Sequence, residues 1–464
     1  EINVLMDERR RIRSEEKEET AGKIKTLGPT LETKYAMLQR IRVYSRCLLE
    51  CLDEKVSEIN VLMDERRRIR RERRERLEKR RRRDIKDCYE ECAAAAGGRN
   101  VAAVRIGEHQ VRASDREARR ARRRRERDGR LTGISHDDGV SSDDDETTSQ
   151  ELADREALQK VLTSSTEMFT DALPEYASLS AVLSRIMEWL ELDEKSFRDS
   201  FVDVCLPKLA SPFVRLQLLG IDVLQTDVVL SEQAWYDEAL HVGGEDGSPL
   251  AEHPIIVGLV PAIIEKVVLS WMTDVVVDEW EPLSLSQSLR LGALLKRLFE
   301  ETPQLTERTK PLKRLLDAIV DKFNSRIDED LFVPMFGRQA MDAPTTGCRA
   351  FLDRQYWMAV KLLRCIASFE GVLSTATLAH LKFSVANRVC VLALQLADMS
   401  EPQVMLKTRA LLKELQSSLP IGSVIQTRGL LSCLKKVAEQ QTNKDFLKEL
   451  ASPLDTLEKI NENV

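Results

Sequence analysis

The stretch from Leu31 to Cys92 contains no glycine and no proline, and this constrains the fold more than any other feature of the chain. Gly28–Pro29 stands just before the stretch, and Ala93–Gly98 reads AAAAGG just after it. Because helix breakers are absent inside and present at both ends, the pattern predicts one long helix over residues 31–93.

A heptad of apolar residues runs along this predicted helix. Ser45, Lys55 and Arg66 interrupt the repeat. Such a stripe favours a coiled coil or docking on a partner helix. We call its first six apolar positions the seam and expect them to contact partner helices. The apolar positions are Leu38, Ile41, Leu48, Leu52, Ile59, Leu62 and Ile69.

The second half of the helix is strongly basic. Guanidinium groups pair well with phosphates, so this segment could bind RNA or DNA by counterion release. It could also be a nuclear import signal, or a solvated helix with internal Glu–Arg pairs. No aromatic residue lies between Arg66 and Arg83, so a nucleic acid would be contacted through its backbone. The basic residues are Arg66, Arg67, Arg68, Arg70, Arg71, Arg73, Arg74, Arg76, Lys79, Arg80, Arg81, Arg82 and Arg83, followed by a second cluster with Arg122, Arg123, Arg124 and Arg125.

Charge and aromatic content divide the chain near residue 150. Residues 1–150 carry 38 basic and 32 acidic groups, whereas residues 151–464 carry 33 and 45. Of all the Phe, Trp and Tyr residues, Tyr35, Tyr44 and Tyr89 alone precede residue 151. The large hydrophobic core is therefore expected in residues 151–464.

Residues 94–150 are expected to be a disordered linker with basic and acidic-serine parts. The segment from Ser135 to Ser149 is acidic, rich in hydroxyl groups and poor in apolar residues. Ser141 and Ser142 each have an aspartate three residues downstream, a pattern that suits an acid-directed kinase such as casein kinase II. Phosphate groups there could pair with a basic partner or with the arginine clusters of the chain itself.

Residues 1–30 form a charged N-terminal segment that contains an exact repeat. Residues 1–13 and 58–70 both read EINVLMDERRRIR. Because drift blurs old repeats, an identical copy indicates a duplicated exon or an assembly fault and not a solenoid. The chain opens on Glu1 and not on Met, so we expect a fragment of a longer protein.

Residues 151–464 carry helical periodicity almost throughout. Apolar residues recur at spacings of three and four in Leu179–Leu192, Phe351–Phe369, Leu378–Leu396 and Leu430–Leu450. Proline and glycine separate segments that are too long for strands. We therefore predict an all-α chain in which a long basic helix and a linker precede an irregular array of about eleven to thirteen helices.

The inventory of motifs excludes the common enzyme classes. We find no phosphate loop of the Walker type, no G-x-G-x-x-G, no H-E-x-x-H and no G-x-S-x-G. The cysteines form no C-x-x-C pair and indicate reduced structural thiols. No apolar run is long enough to predict a membrane span, and no signal peptide is recognised. We expect no catalytic residue, no cofactor and no metal.

Colinear segments of the chain resemble the GC-rich sequence DNA-binding factor (GCF) family, most closely its Pax-binding-protein branch. Together they cover most of residues 35–369. The segments are LLECLDEKVSEIN (48–60), RRRRDIKD (80–87), HDDGVSSDDDET (136–147), CLPKLASPFVRLQLL (205–219), LVPAIIEKVVL (259–269), WEPLSLSQS (280–288), DEDLFVPMF (328–336) and RQYWMAVKLL (354–363).

This resemblance implies a nuclear, non-enzymatic scaffold associated with pre-mRNA splicing. Members of the family join the machinery that disassembles the late, intron-lariat spliceosome, beside a G-patch protein and a DEAH-box helicase. The resemblance also implies an alternative, a transcriptional adaptor or DNA-binding regulator that links Pax-type factors to histone methylation. The acidic charge of residues 151–464 argues against DNA binding by that part of the chain.

Overall fold

The computed structural model describes residues 2–129, 146, 148–244, 248–306, 309–398 and 401–462, and most of these residues are helical. Within these ranges the single β feature is an isolated bridge between Glu370 and Leu373. The predicted all-α fold is therefore confirmed.

Nineteen α-helices follow one another along the described ranges. They are α1 (Ile2–Ala96), α2 (Glu108–Gly129), α3 (Thr148–Glu167), α4 (Leu179–Leu192), α5 (Glu194–Asp199), α6 (Val202–Leu219), α7 (Ala234–Leu240), α8 (Pro254–Val257), α9 (Leu259–Ile263), α10 (Leu269–Asp274), α11 (Leu285–Glu301), α12 (Lys310–Glu329), α13 (Arg338–Asp342), α14 (Cys348–Ala367), α15 (Thr375–Val385), α16 (Val391–Leu396), α17 (Pro402–Leu415), α18 (Val424–Gln440) and α19 (Lys444–Glu462).

Short 3-10 and π-helical turns complete the secondary structure. The 3-10 turns are Val101–Ala103, Leu230–Glu232, His241–Gly243, Pro344–Thr346 and Leu419–Ile421. The π turns are Ile264–Val268, Val275–Glu279 and Ala386–Cys390. The π turns Ile264–Val268 and Ala386–Cys390 each join two helices without a loop, whereas Val275–Glu279 follows α10 and is itself followed by the loop before α11. The α-helices from residue 148 onward outnumber the eleven to thirteen that we expected.

The long helix α1 is longer than the sequence predicts. It starts at Ile2 and runs through Gly28 and Pro29, where the prediction placed its beginning. Proline fits helical φ and removes one backbone donor, so a proline within a helix lowers its stability without necessarily ending it. The predicted helix over residues 31–93 lies entirely inside α1.

Part of the predicted linker is also helical. Helix α2 (Glu108–Gly129) occupies the middle of residues 94–150 and packs on the end of α1 through ion pairs. Arg112 Nε donates to Asp87 at 2.8 Å, and Arg119 pairs with Asp84. These ion pairs stabilise a helix whose composition alone suggested disorder. Ser141 and Ser142, the predicted phosphorylation sites, lie outside the described residues.

The chain divides into two compact units. Unit 1 comprises Glu1–Asp64, Val161–Gly220 and Ser231–Val267. Its core contains Val182 and Leu183 of α4, and Phe197 and Trp235, all fully buried. The predicted helix Leu179–Leu192 is observed with the same bounds, because its apolar residues at three- and four-residue spacing form one buried face.

Unit 2 comprises Glu65–Lys160, Ile221–Leu230 and Val268–Val464. Its core is built around a cluster of three aromatic rings, Trp280, Phe323 and Phe369, whose centroids lie 5.1 to 5.5 Å apart. Helix α14 carries the predicted periodicity, and residues such as Phe351 and Ile366 on its apolar face are buried. These helices position the loops and helix ends that form the site described below.

Prolines lie inside several helices, and one local prediction needs correction. Pro207 and Pro212 lie inside one helix, α6. Pro261 lies in the short helix α9, which the π turn Ile264–Val268 follows directly. The predicted helix Leu430–Leu450 is divided, because α18 ends at Gln440 and α19 begins at Lys444.

Two helical stretches are long and apolar enough to cross a bilayer by length and composition, Pro254–Glu279 and Thr375–Leu396. Within their most apolar windows, 56% and 67% of the residues are buried in the fold. Burial of this extent is typical of core helices, and we interpret both stretches in that way.

Candidate functional site

The basic run of α1 lies against a set of carboxylates in unit 2. We call this set the carboxylate dock. Helix α1 supplies the arginines, and the carboxylates come from loops and helix ends that are distant in sequence. The dock consists of Asp222, Asp274, Asp278, Glu279, Glu281, Glu329 and Asp330.

At the N-terminal end of the run, Arg66 is almost fully buried and pairs with Glu279. The side chains of both residues are 5% exposed. Arg66 Nη2 also donates to the backbone oxygen of Ile221 at 2.9 Å. A buried arginine needs such partners because an uncompensated charge in a dry environment is strongly unfavourable. Arg66 is therefore a structural contact and not a surface residue.

The π turn Val275–Glu279 places several carboxylates of the dock. Arg67 pairs with Asp274 and lies 3.6 Å from Asp278. Arg74 Nε donates to the backbone oxygen of Asp278 at 2.9 Å. A π turn inserts one residue into a helix and so changes the direction of the side chains around it. Here acidic residues just before and within the inserted turn contact α1.

At the C-terminal end of the run, Asp330 is the centre of a buried ionic network. Its carboxylate is completely buried and accepts hydrogen bonds from Arg82 Nε at 2.7 Å, Arg326 Nη1 at 3.1 Å and Arg81 Nη2 at 3.3 Å. Arg81 Nη2 also donates to Glu281 at 3.2 Å. The network joins α1 to the C-terminal end of α12 and to the loop before α11.

The network shifts the protonation of the groups inside it. Burial would raise the pKa of Glu78, but the hydrogen bond from Arg326 and the charges of Arg82 and Arg74 outweigh it and lower the pKa to about 2. Burial, together with the charges of Arg74 and Arg326, lowers the pKa of Lys322 to about 8. Burial is the larger cause, and the nearby carboxylates of Glu281 and Glu78 oppose the decrease.

The middle of the basic run contacts a different pair of acidic residues, Glu146 and Asp154. Arg73 Nε donates to Glu146 at 2.6 Å. Arg76 Nη2 donates to Glu146 at 3.3 Å and to Asp154 at 2.5 Å. Glu146 belongs to the acidic, serine-containing segment from Ser135 to Ser149. This part of the run therefore holds an anion supplied by the chain itself.

The remaining predicted basic residues are exposed or half-buried. Arg68 is exposed and pairs with Glu65 and Glu72 on its own helix, as the solvated-helix interpretation expects. Arg70 pairs with Asp222, whereas Arg71 is exposed at 3.8 Å from Asp278. Arg80 and Arg123 are half-buried. The exposed residues are Lys79, Arg83, Arg122, Arg124 and Arg125.

The structure places most of the predicted seam inside the fold. Ile41, Leu48, Leu52 and Ile59 are buried, and Leu38 and Leu62 are half-buried. Nearby in unit 1, Tyr44 donates its hydroxyl to the backbone oxygen of Glu175 at 2.9 Å. The heptad stripe therefore packs within the chain, and a partner helix would need another face of α1.

One group of side chains has the spacing of a metal site. Asp87, Glu90 and His109 each bring a ligand atom within 4.8 Å of the others. However, Asp87 already accepts two hydrogen bonds from Arg112, at 2.8 and 3.1 Å, and Arg116 also lies close to it. This cationic environment disfavours a metal ion, so we assign none.

Sequence reasoning missed the carboxylate dock. Asp328–Asp330 looks like a pair of acidic residues that caps or flanks a helix, and Asp330 is indeed the C-cap of α12. Its role as an arginine acceptor depends on contacts across about 250 residues. The signal available in the sequence was the opposite charge of its two parts, which predicts attraction between them without naming the residues.

Comparison with known proteins finds relatives that cover most of the chain. PAX3- and PAX7-binding protein 1 of Mus musculus is 30% identical over 386 residues, 80% of this chain and 42% of the relative. The Intron Large complex component GCFC2 of Mus musculus is 29% identical, over 74% of this chain and 46% of the relative. The Transcriptional repressor ILP1 of Arabidopsis thaliana is 24% identical over 44% of this chain.

The match spans less than half the length of each of these relatives. No protein-family model matches the chain. The segments of resemblance noted in the sequence and the relatives found by comparison indicate the same group of proteins.

Proposed function

Because the chain is a homologue of the GC-rich sequence DNA-binding factor family, in its Pax-binding-protein branch, we propose that it is a non-enzymatic nuclear scaffold associated with pre-mRNA splicing. The observation that carries this proposal is the similarity over 74% of the chain to a protein named as a component of the Intron Large complex. The scaffold would act in the late, intron-lariat spliceosome, beside a G-patch protein and a DEAH-box helicase.

The structure supports a scaffold through the first third of α1. Ile24, Leu27, Leu31 and Tyr35 follow one another at spacings of three and four residues and are 71%, 55%, 62% and 66% exposed. Residues at these spacings lie on one face of a helix. An exposed apolar stripe of this kind favours contact with a partner helix. This exposed stripe could contact a partner helix, whereas most of the seam is buried within the chain.

A second function, a transcriptional adaptor, is favoured by the names of two relatives. One is named for binding PAX3 and PAX7, and another is named a transcriptional repressor. The chain would then link a Pax-type factor to histone methylation. Both functions use the chain as a binding surface, and they differ in the complexes that contain it.

Affinity purification of the tagged chain from nuclei tests the proposal. A splicing scaffold should recover excised intron lariats and spliceosomal proteins, whereas an adaptor should recover a Pax-type factor and chromatin. The variant Leu27→Asp/Leu31→Asp should lose the recovered partners, because it places two charges on the exposed stripe. The control Thr26→Asp/Thr33→Asp adds the same charge at exposed positions of the same helix and should retain them. Recovery of neither class of complex would refute both functions.

A further inference from the structure

A groove between α1 and α2 in unit 2 is lined largely by basic side chains. Six of its lining residues are basic and three are acidic. The acidic ones are Asp84, Asp115 and Glu146. The basic ones are Arg76, Lys79, Arg80, Arg83, Arg112 and Arg119.

Glu146 shows that this groove accepts an oxyanion. Its side chain is 2% exposed, and its carboxylate receives hydrogen bonds from Arg73 at 2.6 Å and from Arg76 at 3.3 Å. The buried Nε of Arg76 has no hydrogen-bond partner among the described residues, so a donor remains unused. A phosphate presents more acceptor oxygens than a carboxylate and would bind such guanidinium groups at least as well.

The accessible charges extend the groove in two directions. Lys79 and Arg83 are exposed on α1 at its edge. On α2, Arg119 lines the groove, and Arg122 and Arg125 are exposed within the next two turns. The described residues that line the groove include no aromatic side chain, so a bound polyanion would be held by its backbone without stacking of bases.

We propose that the groove between α1 and α2 binds the phosphodiester backbone of single-stranded RNA, and that Glu146 occupies the position of one phosphate until RNA displaces it. The charge and geometry of the groove indicate a polyanion and do not depend on the proposed role in splicing. The choice of RNA over other polyanions rests on that proposed role. The arginines that contact the carboxylate dock take no part in binding, because carboxylates of the chain itself lie against them.

Fluorescence anisotropy of the purified full chain with a labelled 20-nucleotide oligouridylate tests this site. The variant Lys79→Glu/Arg83→Glu should bind roughly tenfold more weakly at about 100 mM salt. It should also lower the slope of log affinity against log salt by about 1.4, since each phosphate contact to a single strand contributes about 0.7. Both residues are exposed, so the fold should be unaffected, which circular dichroism checks.

The control variant Arg42→Glu/Arg46→Glu carries the same change in charge on an exposed part of α1 outside the groove, and it should bind like the wild type. Glu146→Gln should tighten binding about threefold or more, because it releases Arg73 and Arg76 from an internal anion. Equal affinities for the groove variant and the control, or no gain from Glu146→Gln, would overturn the proposal.

Two further arms separate this proposal from its alternatives. A duplex DNA of the same length should bind more weakly than the oligouridylate, and preference for the duplex would instead support a DNA-binding regulator. The anisotropy assay needs no spliceosomal protein. If the groove variant loses RNA binding but still recovers its partners from nuclei, the groove is supported as a separate RNA-binding site. If the variant keeps RNA binding and still recovers its partners, the RNA-binding proposal is wrong and the proposed scaffold function is unaffected.

Discussion

Replacement of Asp330 by asparagine should strongly destabilise unit 2. The carboxylate is completely buried and accepts hydrogen bonds from Arg81, Arg82 and Arg326. Asparagine has nearly the same shape but no charge, so the three guanidinium groups would lose a shared anion. Removal of one partner from a buried ion pair costs about 3–5 kcal/mol. For a domain of this size we expect the melting temperature to fall by roughly 10 °C.

The matched control lies two residues away. Asp328 accepts a hydrogen bond from Arg388 at 2.8 Å, but the two side chains are 69% and 43% exposed. Exposed pairs contribute about 0–1 kcal/mol, so Asp328→Asn should leave the melting temperature nearly unchanged. Thermal unfolding followed by circular dichroism compares the two variants. If Asp330→Asn and Asp328→Asn melt within about 1 °C of each other, the buried network does not stabilise the fold as we describe.

Three further substitutions test separate features. Lys322→Met should raise the melting temperature at pH 7. Because the pKa of Lys322 in the folded protein is about 8, its positive charge opposes folding below about pH 8 and is lost as the pH rises. The gain in melting temperature should therefore be smaller at pH 9.5. The pKa of Glu78 is about 2 in the folded protein, against an ordinary value of 4.5. The Glu78 carboxylate therefore stabilises the fold above about pH 4.5, and this effect is lost as the pH falls towards 2. Glu78→Gln should lower the urea midpoint at pH 7, and the midpoint of the variant should decline less steeply between pH 5 and pH 3. Gly292→Ala should destabilise by about 1–3 kcal/mol in urea, because its Cβ would lie 2.4 Å from the backbone oxygen of Ser368, whereas Gly22→Ala in open space should not destabilise. The described environment of each residue would be contradicted by one result. These results are a Gly292→Ala protein as stable as the wild type, a gain in melting temperature for Lys322→Met that does not change with pH, and a Glu78→Gln protein whose urea midpoint declines with acid as in the wild type.

Helical periodicity alone predicted the elements whose apolar faces are continuous. Leu179–Leu192 and the apolar positions of Phe351–Phe369 were predicted from spacing and are buried as expected. The break between α18 and α19 was missed because the apolar spacing continues across Gln441, and no proline or glycine marks the interruption. Periodicity therefore locates buried faces better than it locates the ends of helices.

Two of the polar residues that interrupt the heptad stripe are buried in the fold. Lys55 and Arg66 occupy heptad positions of the stripe, and both are buried like most of its apolar residues. Lys55 donates to Asp171 at 2.8 Å, and Arg66 pairs with Glu279. The burial pattern of the stripe therefore continues at Lys55 and Arg66, whereas Ser45 is half-buried. The acidic partners lie more than 100 residues away, and no local pattern identifies them.

The composition of the basic run suggested a free polyelectrolyte, and its pairing inside the chain changes that interpretation. Thirteen basic residues in eighteen are typical of import signals and nucleic-acid contacts. The opposite charge of residues 151–464 was visible in the sequence, but net charge predicts attraction and not geometry. The arrangement depends on the π turn Val275–Glu279 and on the C-terminal end of α12, which apolar spacing does not predict.

Hydrogen–deuterium exchange of α1 tests the central claim, the docking of its arginine run on the carboxylates of unit 2, most directly. Residues 8–27 and 66–83 belong to the same helix, but the first stretch is exposed and the second contacts the dock. We predict that amides in residues 66–83 exchange at least about 100-fold more slowly than those in residues 8–27. Equal exchange in the two stretches would show that the arginine run is free in solution and would contradict the account.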